Sequence, residues 1–298
     1  MIASQAAEVG PIRDLPASQV LRAIQLVRHG KVIDLAVPRF RGMPLFPGHP
    51  TFEVHAFRTP RGLRVGGDAP WGSHNDIGLG YMSEVVSGTM HSGAHIDALA
   101  HMTIGADARW YGGSTADEHL GDFGPTRGDG SKLPPIVTRG VFLDVPAFRG
   151  VDALPKGAPV TAAELEAVAR AERVSVERWD VVLIRTGLLR YWPDPEQLAA
   201  HRGAGPDLSA ARWLVERGVV ATGSDTETYE VQPAPDPGHP SNPQPVHTEL
   251  LIDHGIYIME SVYLEHLARE REYEFLFVAL PTKIAGTTGS MIDPVAVW

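Results

Sequence analysis

The stretch that decides the fold reads Asp180-Val181-Val182-Leu183-Ile184-Arg185. An almost uninterrupted apolar run of this length is typical of a strand that is covered on both faces, as in a parallel sheet. The run Thr161–Glu172 before it has the pattern of a capped helix, and Ser209–Arg217 after it predicts another helix. The next strand is expected at 219–223. Helices that alternate with strands in this way predict an α/β fold.

The same pattern extends outward to both ends of the chain. Two glycine-rich stretches, 59–80 and 105–130, and a proline-rich stretch, 232–246, are expected to be loops. No composition break divides the chain, so we expect a single domain at 31–298 that follows a helical extension at 1–30. The remaining expected elements are a helix at 15–29, strands at 32–37, 52–57 and 140–145, a helix at 247–253, and strands at 256–259 and 274–280.

Composition excludes several classes of function. The chain has 298 residues, a formal net charge of -10 and no cysteine. An acidic chain without a block of basic residues has no electrostatic reason to bind nucleic acid or an anionic membrane. The absence of cysteine removes thiolate nucleophiles and thiolate metal ligands, so a bound metal must have nitrogen and oxygen ligands. We expect a small-molecule substrate instead of a macromolecular partner.

The chain shows no sign of a membrane or export signal. Its first residues include Glu8, Arg13 and Asp14, which interrupt any apolar core of signal-peptide length. No segment approaches the roughly 20 apolar residues of a membrane span. A cytoplasmic protein is the expectation.

Three histidines and an aspartate occur within the eleven residues His91-Ser92-Gly93-Ala94-His95-Ile96-Asp97-Ala98-Leu99-Ala100-His101. Imidazole and carboxylate ligands suit zinc, manganese or iron. His91 and His95 have the spacing of one helical turn, whereas His95 and Asp97 have the spacing of one strand face. Gly93 permits the tight turn that both arrangements together require. The spacing predicts a metal site at these positions, with His101 beside it as a base or a further ligand.

Other kinds of nucleophile are missing from the sequence. It has no Gly-x-Ser-x-Gly elbow, and its glycine-rich runs match neither a phosphate-binding loop nor a dinucleotide fingerprint. A water molecule activated by the metal is therefore the natural nucleophile. Two further ligand candidates lie in the C-terminal third. His247 opens an apolar helix and Glu260 follows an apolar strand, although each position is also typical of a solvated surface residue.

The histidine-rich segment resembles the His-x-Gly-Thr-His-x-Asp-Ala-Pro-x-His signature of the cyclase family. That family includes bacterial kynurenine formamidase, isatin hydrolase and a trans-dienelactone hydrolase. Ala94 and Leu99 depart from the threonine and proline that are usual in the signature, and the loss of the hydroxyl affects the support of the site. The resemblance covers most of the chain, with further similar segments at 32–35, 42–50, 180–187, 218–226 and 281–290.

The resemblance implies a barrel-like mixed β-sheet surrounded by helices, the cyclase fold, usually in a homodimer or a higher homo-oligomer. It implies metal ligands at His91, His95 and Asp97. In members with two metal ions, a second site shares the aspartate and adds a histidine and a glutamate, which the match places on His247 and Glu260. The histidine that corresponds to His101 acts as general base or acid.

These inferences predict a metal-dependent hydrolase with one or two zinc or manganese ions per subunit. Its substrate would be a small aromatic or cyclic molecule, opened at a formamide, a cyclic amide or a lactone. Two alternatives stay open, namely a metal-dependent lyase or cyclase and a non-catalytic metal- or ligand-binding protein on the same scaffold. The glycine-rich loops and the residues beside them supply candidate substrate contacts, which are Trp71, His74, Trp110 and Tyr111.

Overall fold

Four parallel strands form the middle of the main sheet in the computed structural model, which describes residues 8–68 and 70–298. The apolar run that predicts a doubly covered strand is one of them, and Val181–Arg185 is buried along its whole length. Branched side chains such as Val182 and Ile184 favour this extended, packed backbone. The strands in chain order are β1 (Val32–Asp34), β2 (Glu53–Arg58), β3 (Ser83–Ser87), β4 (His95–Asp97), β5 (Leu120–Gly121), β6 (Gly124–Pro125), β7 (Ile136–Asp144), β8 (Pro159–Val160), β9 (Val181–Arg185), β10 (Gly205–Pro206), β11 (Ala221–Ser224), β12 (Tyr257–Glu260), β13 (Glu274–Ala279), β14 (Gly289–Met291) and β15 (Val295–Val297).

The main sheet is mixed, and in the described residues it has nine strands in the order β1-β15-β13-β7-β9-β11-β12-β4-β14. The strands β7, β9, β11 and β12 run parallel, and the strands outside them pair antiparallel. The sheet curls into a half barrel, so the prediction of an α/β fold with a barrel-like mixed sheet is confirmed. Because the four central strands are parallel, their last residues lie at one edge of the sheet.

Helices cover this sheet. The helix Ala17–Ile24 packs on β7 and β13, and two of the later helices pack against each other. The helices are α1 (Ala17–Ile24), α2 (Pro60–Gly66), α3 (Ala116–His119), α4 (Val145–Arg149), α5 (Ala162–Glu172), α6 (Pro195–His201), α7 (Leu208–Arg217), α8 (Pro245–His247) and α9 (Glu265–Glu270), with 3-10 turns at Pro11–Asp14, Gly72–His74, Tyr111–Gly113, Gly130–Lys132 and Leu188–Tyr191 and a π-helix at Thr248–Asp253.

Local sequence signals locate several elements correctly. The hydroxyl of Thr161 accepts a hydrogen bond from the Glu164 backbone N–H at 3.3 Å, which is the N-terminal cap that the sequence predicts for α5. Helix α7 ends at Gly218, also as predicted. A boundary between an extension and a domain after residue 30 stays a prediction, and residues 1–7 of that extension lie outside the described residues.

Other boundaries are wrong for identifiable reasons. The first strand ends at Asp34 and not at Val37, because the Asp34 carboxylate accepts the Ala36 N–H and turns the chain. The glycine-rich stretch 59–80 is not entirely irregular, since Thr59 caps helix α2 within it. The helix expected at 247–253 is a short helix, α8, that continues as a π-helix from Thr248.

The chain divides into two compact units, of which the first comprises 8–37 and 90–298 and contains the whole main sheet. The second unit, 38–89 without residue 69, is built on the antiparallel pair of β2 and β3. Several large apolar side chains of this unit are exposed, among them Phe57, Ile77 and Met82. Among the residues described, no helix combines the length and the apolar character that crossing a bilayer requires.

Candidate metal centre

Asp97 lies at the centre of a buried group of acids and histidines. It is the last residue of β4 and is 1% exposed. One carboxylate oxygen, Oδ1, lies 3.0 Å from His91 Nδ1 and 3.8 Å from His95 Nε2. The other, Oδ2, lies 3.7 Å from His247 Nε2. The aspartate therefore faces histidines from two distant parts of the sequence.

The local backbone places the first three predicted ligands. His95 and Asp97 lie on the extended strand β4, as their spacing predicts. The expected helical turn between His91 and His95 is wrong, because the chain bends there without forming a helix. Gly93 makes the turn with a φ of 57°, a left-handed value that is strained for residues with a side chain. The bend brings the two imidazole rings to 5.0 Å between centroids.

The sheet brings the two C-terminal candidates to the same place. Strand β12 pairs antiparallel with β4, so that Glu260 lies directly opposite His95. Its Oε2 is 3.3 Å from His95 Nε2, and its Oε1 is 3.3 Å from His247 Nε2. Glu260 is 7% exposed and His247 is 2% exposed. Both residues are therefore buried, whereas the sequence pattern alone also allowed them to lie on the surface.

The side chains form two groups that could each hold a metal ion, and the groups share Asp97. Within the described residues, both Asp97 oxygens and His95 Nε2 are buried and lack a hydrogen-bond partner. Leaving buried polar atoms unsatisfied is costly, and a buried carboxylate is costly above all. A divalent cation among these atoms would offset that cost. The residues of the two groups are His91, Asp97 and His101, and Asp97, His247 and Glu260.

The three candidate histidine ligands each have their other ring nitrogen engaged. His91 Nε2 lies 3.1 Å from the Thr288 hydroxyl oxygen, and His95 Nδ1 lies 2.9 Å from the Gly93 carbonyl oxygen. His247 Nδ1 is hydrogen-bonded to the Glu230 carboxylate. The carbonyl at His95 and the carboxylate at His247 accept a proton from these nitrogens, whereas the Thr288 hydroxyl can donate or accept; contacts of this kind orient ligand rings toward a metal. They direct His91 Nδ1, His95 Nε2 and His247 Nε2 toward the carboxylates.

Thr288 and Glu230 are functional candidates that sequence reasoning missed. Thr288 lies in the segment 281–290, which resembles the cyclase family. A hydroxyl side chain in that segment was the signal from which a partner of a histidine ligand could have been predicted. Ala94, where the family usually has threonine, is fully buried, and the hydroxyl beside a candidate ligand belongs to Thr288. Glu230 lies just before the proline-rich loop, and nothing in its sequence surroundings indicates that its side chain is buried.

Burial and neighbouring charge shift the pKa values of the cluster. Burial alone would raise the pKa of Asp97, but His101, His91 and His95 together hold it well below the usual range. Burial opposes a raised pKa at His247 as well, and there the carboxylates of Glu230 and Glu260 outweigh it. The carboxyl groups are thus held in their charged form, which is the form that binds a cation.

His101 lies beside the cluster and is half-buried. Its ring is tilted by 32° against the His91 ring, with 4.2 Å between centroids. Burial is the main reason why the pKa of His101 falls to about 4, and the neighbouring His91 lowers it further. The imidazole is therefore neutral at neutral pH and can accept a proton. The geometry places it within reach of a metal and beside the other candidate ligands, so its role stays a prediction.

The four candidate substrate contacts lie in different settings. In the second unit, Trp71 is 58% exposed and meets the Tyr81 ring edge-on, and His74 is exposed. In the first unit, Trp110 is buried and donates its indole N–H to the Arg127 carbonyl. Tyr111 is half-buried, and burial raises the pKa of its hydroxyl. Contact of these residues with a substrate stays a prediction.

Comparison with known proteins identifies the family. The model of the Cyclase family, described as "Putative cyclase", matches residues 33–231, and the chain belongs to this family. A solved structure described as a novel cyclase is 25% identical, covers 97% of this chain and 94% of its own, and superposes with a TM-score of 0.83. No curated protein matches the sequence. Family membership and the buried histidine–carboxylate groups support a metal-dependent hydrolase.

Two more distant structures share the fold. Isatin hydrolase A from Labrenzia aggregata is 20% identical, with 94% of this chain and 97% of that chain covered and a TM-score of 0.63. A structure described as a predicted metal-dependent hydrolase from Bacillus stearothermophilus is 18% identical, with 90% and 98% covered and a TM-score of 0.53.

Proposed function

We propose that this member of the Cyclase family hydrolyses an amide bond, in a formamide or a cyclic amide, or a lactone in a small aromatic or cyclic molecule. One observation carries the proposal. The Asp97 oxygens and His95 Nε2 are buried without hydrogen-bond partners in the described structure, among histidines whose other nitrogens are engaged. The fold that the chain shares with isatin hydrolases favours a small cyclic or aromatic substrate.

The residues of the cluster fit a divalent ion, for which we propose zinc or manganese. When bound, such an ion lowers the pKa of a water molecule toward about 7 and polarises the carbonyl oxygen of a substrate. His91, His95 and Asp97 would hold one ion, and the shared Asp97 together with His247 and Glu260 would hold a second. The nitrogen and oxygen donors are those that these metals take in a chain without cysteine.

His101 is the residue that we propose to move the proton. Its imidazole is neutral at neutral pH, since burial holds its pKa at about 4. It can take a proton from the attacking water and deliver it to the leaving nitrogen or oxygen. Its half-buried position leaves it accessible from solvent, whereas Asp97 is enclosed. We further propose that the protein works in the cytoplasm as a homodimer or higher homo-oligomer.

The test is removal and return of the metal. The purified protein is analysed for metals, dialysed against a chelator, reloaded with zinc or manganese, and assayed on N-formyl aromatic amines, isatins and lactones. We expect activity on one of these classes that is lost with the metal and restored by it. In labelled water the hydrolysis product must carry the label. Full activity in the metal-free protein would contradict the proposal, and an unlabelled product would indicate a lyase or cyclase instead.

A further inference from the structure

Glu230 is a fully buried carboxylate with three donors from one short segment. Its Oε2 accepts the backbone N–H of Val246 at 3.0 Å, and its Oε1 accepts that of His247 at 3.1 Å. The same Oε1 is hydrogen-bonded to Nδ1 of the His247 ring. Pro245 precedes these residues and has no N–H of its own. Glu230 thus engages the backbone and the side chain of a single candidate ligand.

The backbone that carries Glu230 is itself held firmly. The Val231 N–H donates to the Pro206 carbonyl at 3.1 Å, and the Gln232 N–H donates to the Gly203 carbonyl at 2.8 Å. The backbone just before Glu230 also lies close to Gly205, since a Cβ atom on Gly205 would be 2.2 Å from the Tyr229 carbonyl oxygen. The carboxylate therefore projects from a fixed support.

We propose that Glu230 is the positioning residue of the metal centre, acting through His247. A carboxylate has no proton to donate, so its contact with Nδ1 requires that nitrogen to carry the hydrogen. When a cation displaces the second ring proton, the lone pair of His247 Nε2 points toward Glu260 Oε1 at 3.3 Å and Asp97 Oδ2 at 3.7 Å. That direction is the one a cation needs. The inference rests on the metal centre of the proposed function.

At their second nitrogens, the other two candidate histidines meet neutral groups. His91 meets a hydroxyl and His95 meets a backbone carbonyl at their second nitrogens. A hydrogen bond to a charged carboxylate is roughly twice as strong as one between neutral groups. In the described residues, Glu230 forms no ion pair with a lysine or an arginine, so that His247 is its one ionisable side-chain partner. Removing the charge of Glu230 should therefore weaken the binding of the metal ion beside His247 in particular.

The experiment compares Glu230→Gln with a matched control, Asp225→Asn. Asp225 is also fully buried and also accepts two backbone N–H bonds and one side-chain bond, from Thr186 and Gly187, but it meets no candidate ligand. Zinc affinity is measured by competition with a coloured chelator, and thermal unfolding is recorded for the metal-free proteins. We expect Glu230→Gln to weaken zinc binding by about 10–100-fold. The control should lose stability while its zinc affinity stays within about threefold of the wild type.

A zinc affinity of Glu230→Gln equal to that of the control would overturn the inference. If Glu230→Gln does not fold, nitrogen NMR of the zinc-loaded wild type decides, with the His247 signals assigned by their loss in His247→Gln. A proton on Nδ1 and zinc on Nε2 of His247 are expected, and zinc on Nδ1 would refute the proposal. A wild type that binds neither zinc nor manganese would instead refute the proposed function, so the two failures are distinguishable.

Discussion

Two clusters of buried charge occur at the same edge of the main sheet, and they are built in opposite ways. At the ends of β7 and β9, the Arg185 guanidinium donates to Asp144 at 2.8 Å and to both oxygens of Glu265 at 2.6 and 3.0 Å. At the ends of β4 and β12, Asp97 and Glu260 face histidines, with no arginine or lysine paired to them among the described residues.

The difference distinguishes a structural charge cluster from a binding site. A buried ion pair is tolerated when its Coulombic attraction and hydrogen bonds compensate the loss of water, as around Arg185. In the Asp97 cluster histidines stand in place of the arginine, and both Asp97 oxygens lack hydrogen-bond partners in the described structure. A cation would complete such a site, as the two groups of candidate ligands suggest. Buried charge alone is therefore no sign of function, whereas unsatisfied buried atoms within a cluster of metal-binding side chains point to a bound cation.

The largest effect is expected at His101. His101→Ala should lower kcat by about 10²–10⁴-fold, the range that general acid–base groups contribute, while the metal content stays near that of the wild type. Asp97→Asn is the matched comparison and should lose both the metal and the activity. Turnover and metal analysis of the two variants are measured together. A large loss of metal from His101→Ala would make His101 a ligand and would enlarge the binding cluster.

The next effect concerns the cluster of Arg185, Asp144 and Glu265. Arg185→Met should lower the free energy of unfolding by about 3–5 kcal/mol, because it leaves Asp144 and Glu265 as unpaired buried acids. Denaturant unfolding measures the loss, and the metal content of the folded protein should be unchanged. Arg190→Met is the control, since its pair with Asp152 is solvent-exposed and should contribute about 0.2–1 kcal/mol. Loss of metal from folded Arg185→Met would show that the two clusters are not independent.

The smallest effect concerns Glu172, which accepts the Asp144 N–H but has its Oε2 buried without a partner. Burial raises the pKa of Glu172 from 4.5 to about 8. Between these values the folded protein holds a proton that the unfolded chain releases, so stability falls as the pH rises. Glu172→Gln removes this dependence, and its melting temperature relative to the wild type should rise between pH 5 and pH 8, by about 2–4 °C for each kcal/mol that the wild type loses.

If the melting temperatures of the wild type and Glu172→Gln change with pH in the same way across this range, the raised pKa of Glu172 is contradicted. They would mean that Glu172 is already ionised in the folded protein. The unpartnered Glu172 Oε2 would then need another explanation than a bound proton.

Local signals in the sequence predict much of the fold and part of the site. The cap at Thr161 and the stop at Gly218 depend on neighbouring residues alone, and both are where the pattern indicates. Strand β4 has only three residues, too few for a recognisable alternation of apolar and polar side chains. It is extended because it pairs with β12 and β14, which lie far away in the sequence. The bend before His95 replaced the expected helical turn for the same reason, since sheet pairing outweighs the preference of so short a segment.

The sequence by itself determined the donor types of the site, the absence of thiolate and serine nucleophiles, and the order of elements that makes an α/β fold. These follow from residue identity and from periodicities that span a few positions. Only the tertiary structure decided that Glu260 lies opposite His95, that neither Asp97 side-chain oxygen has a hydrogen-bond partner among the described residues, and that Glu230 contacts His247. The reason is physical: burial and pairing depend on contacts between residues far apart in the chain, and no local pattern encodes them.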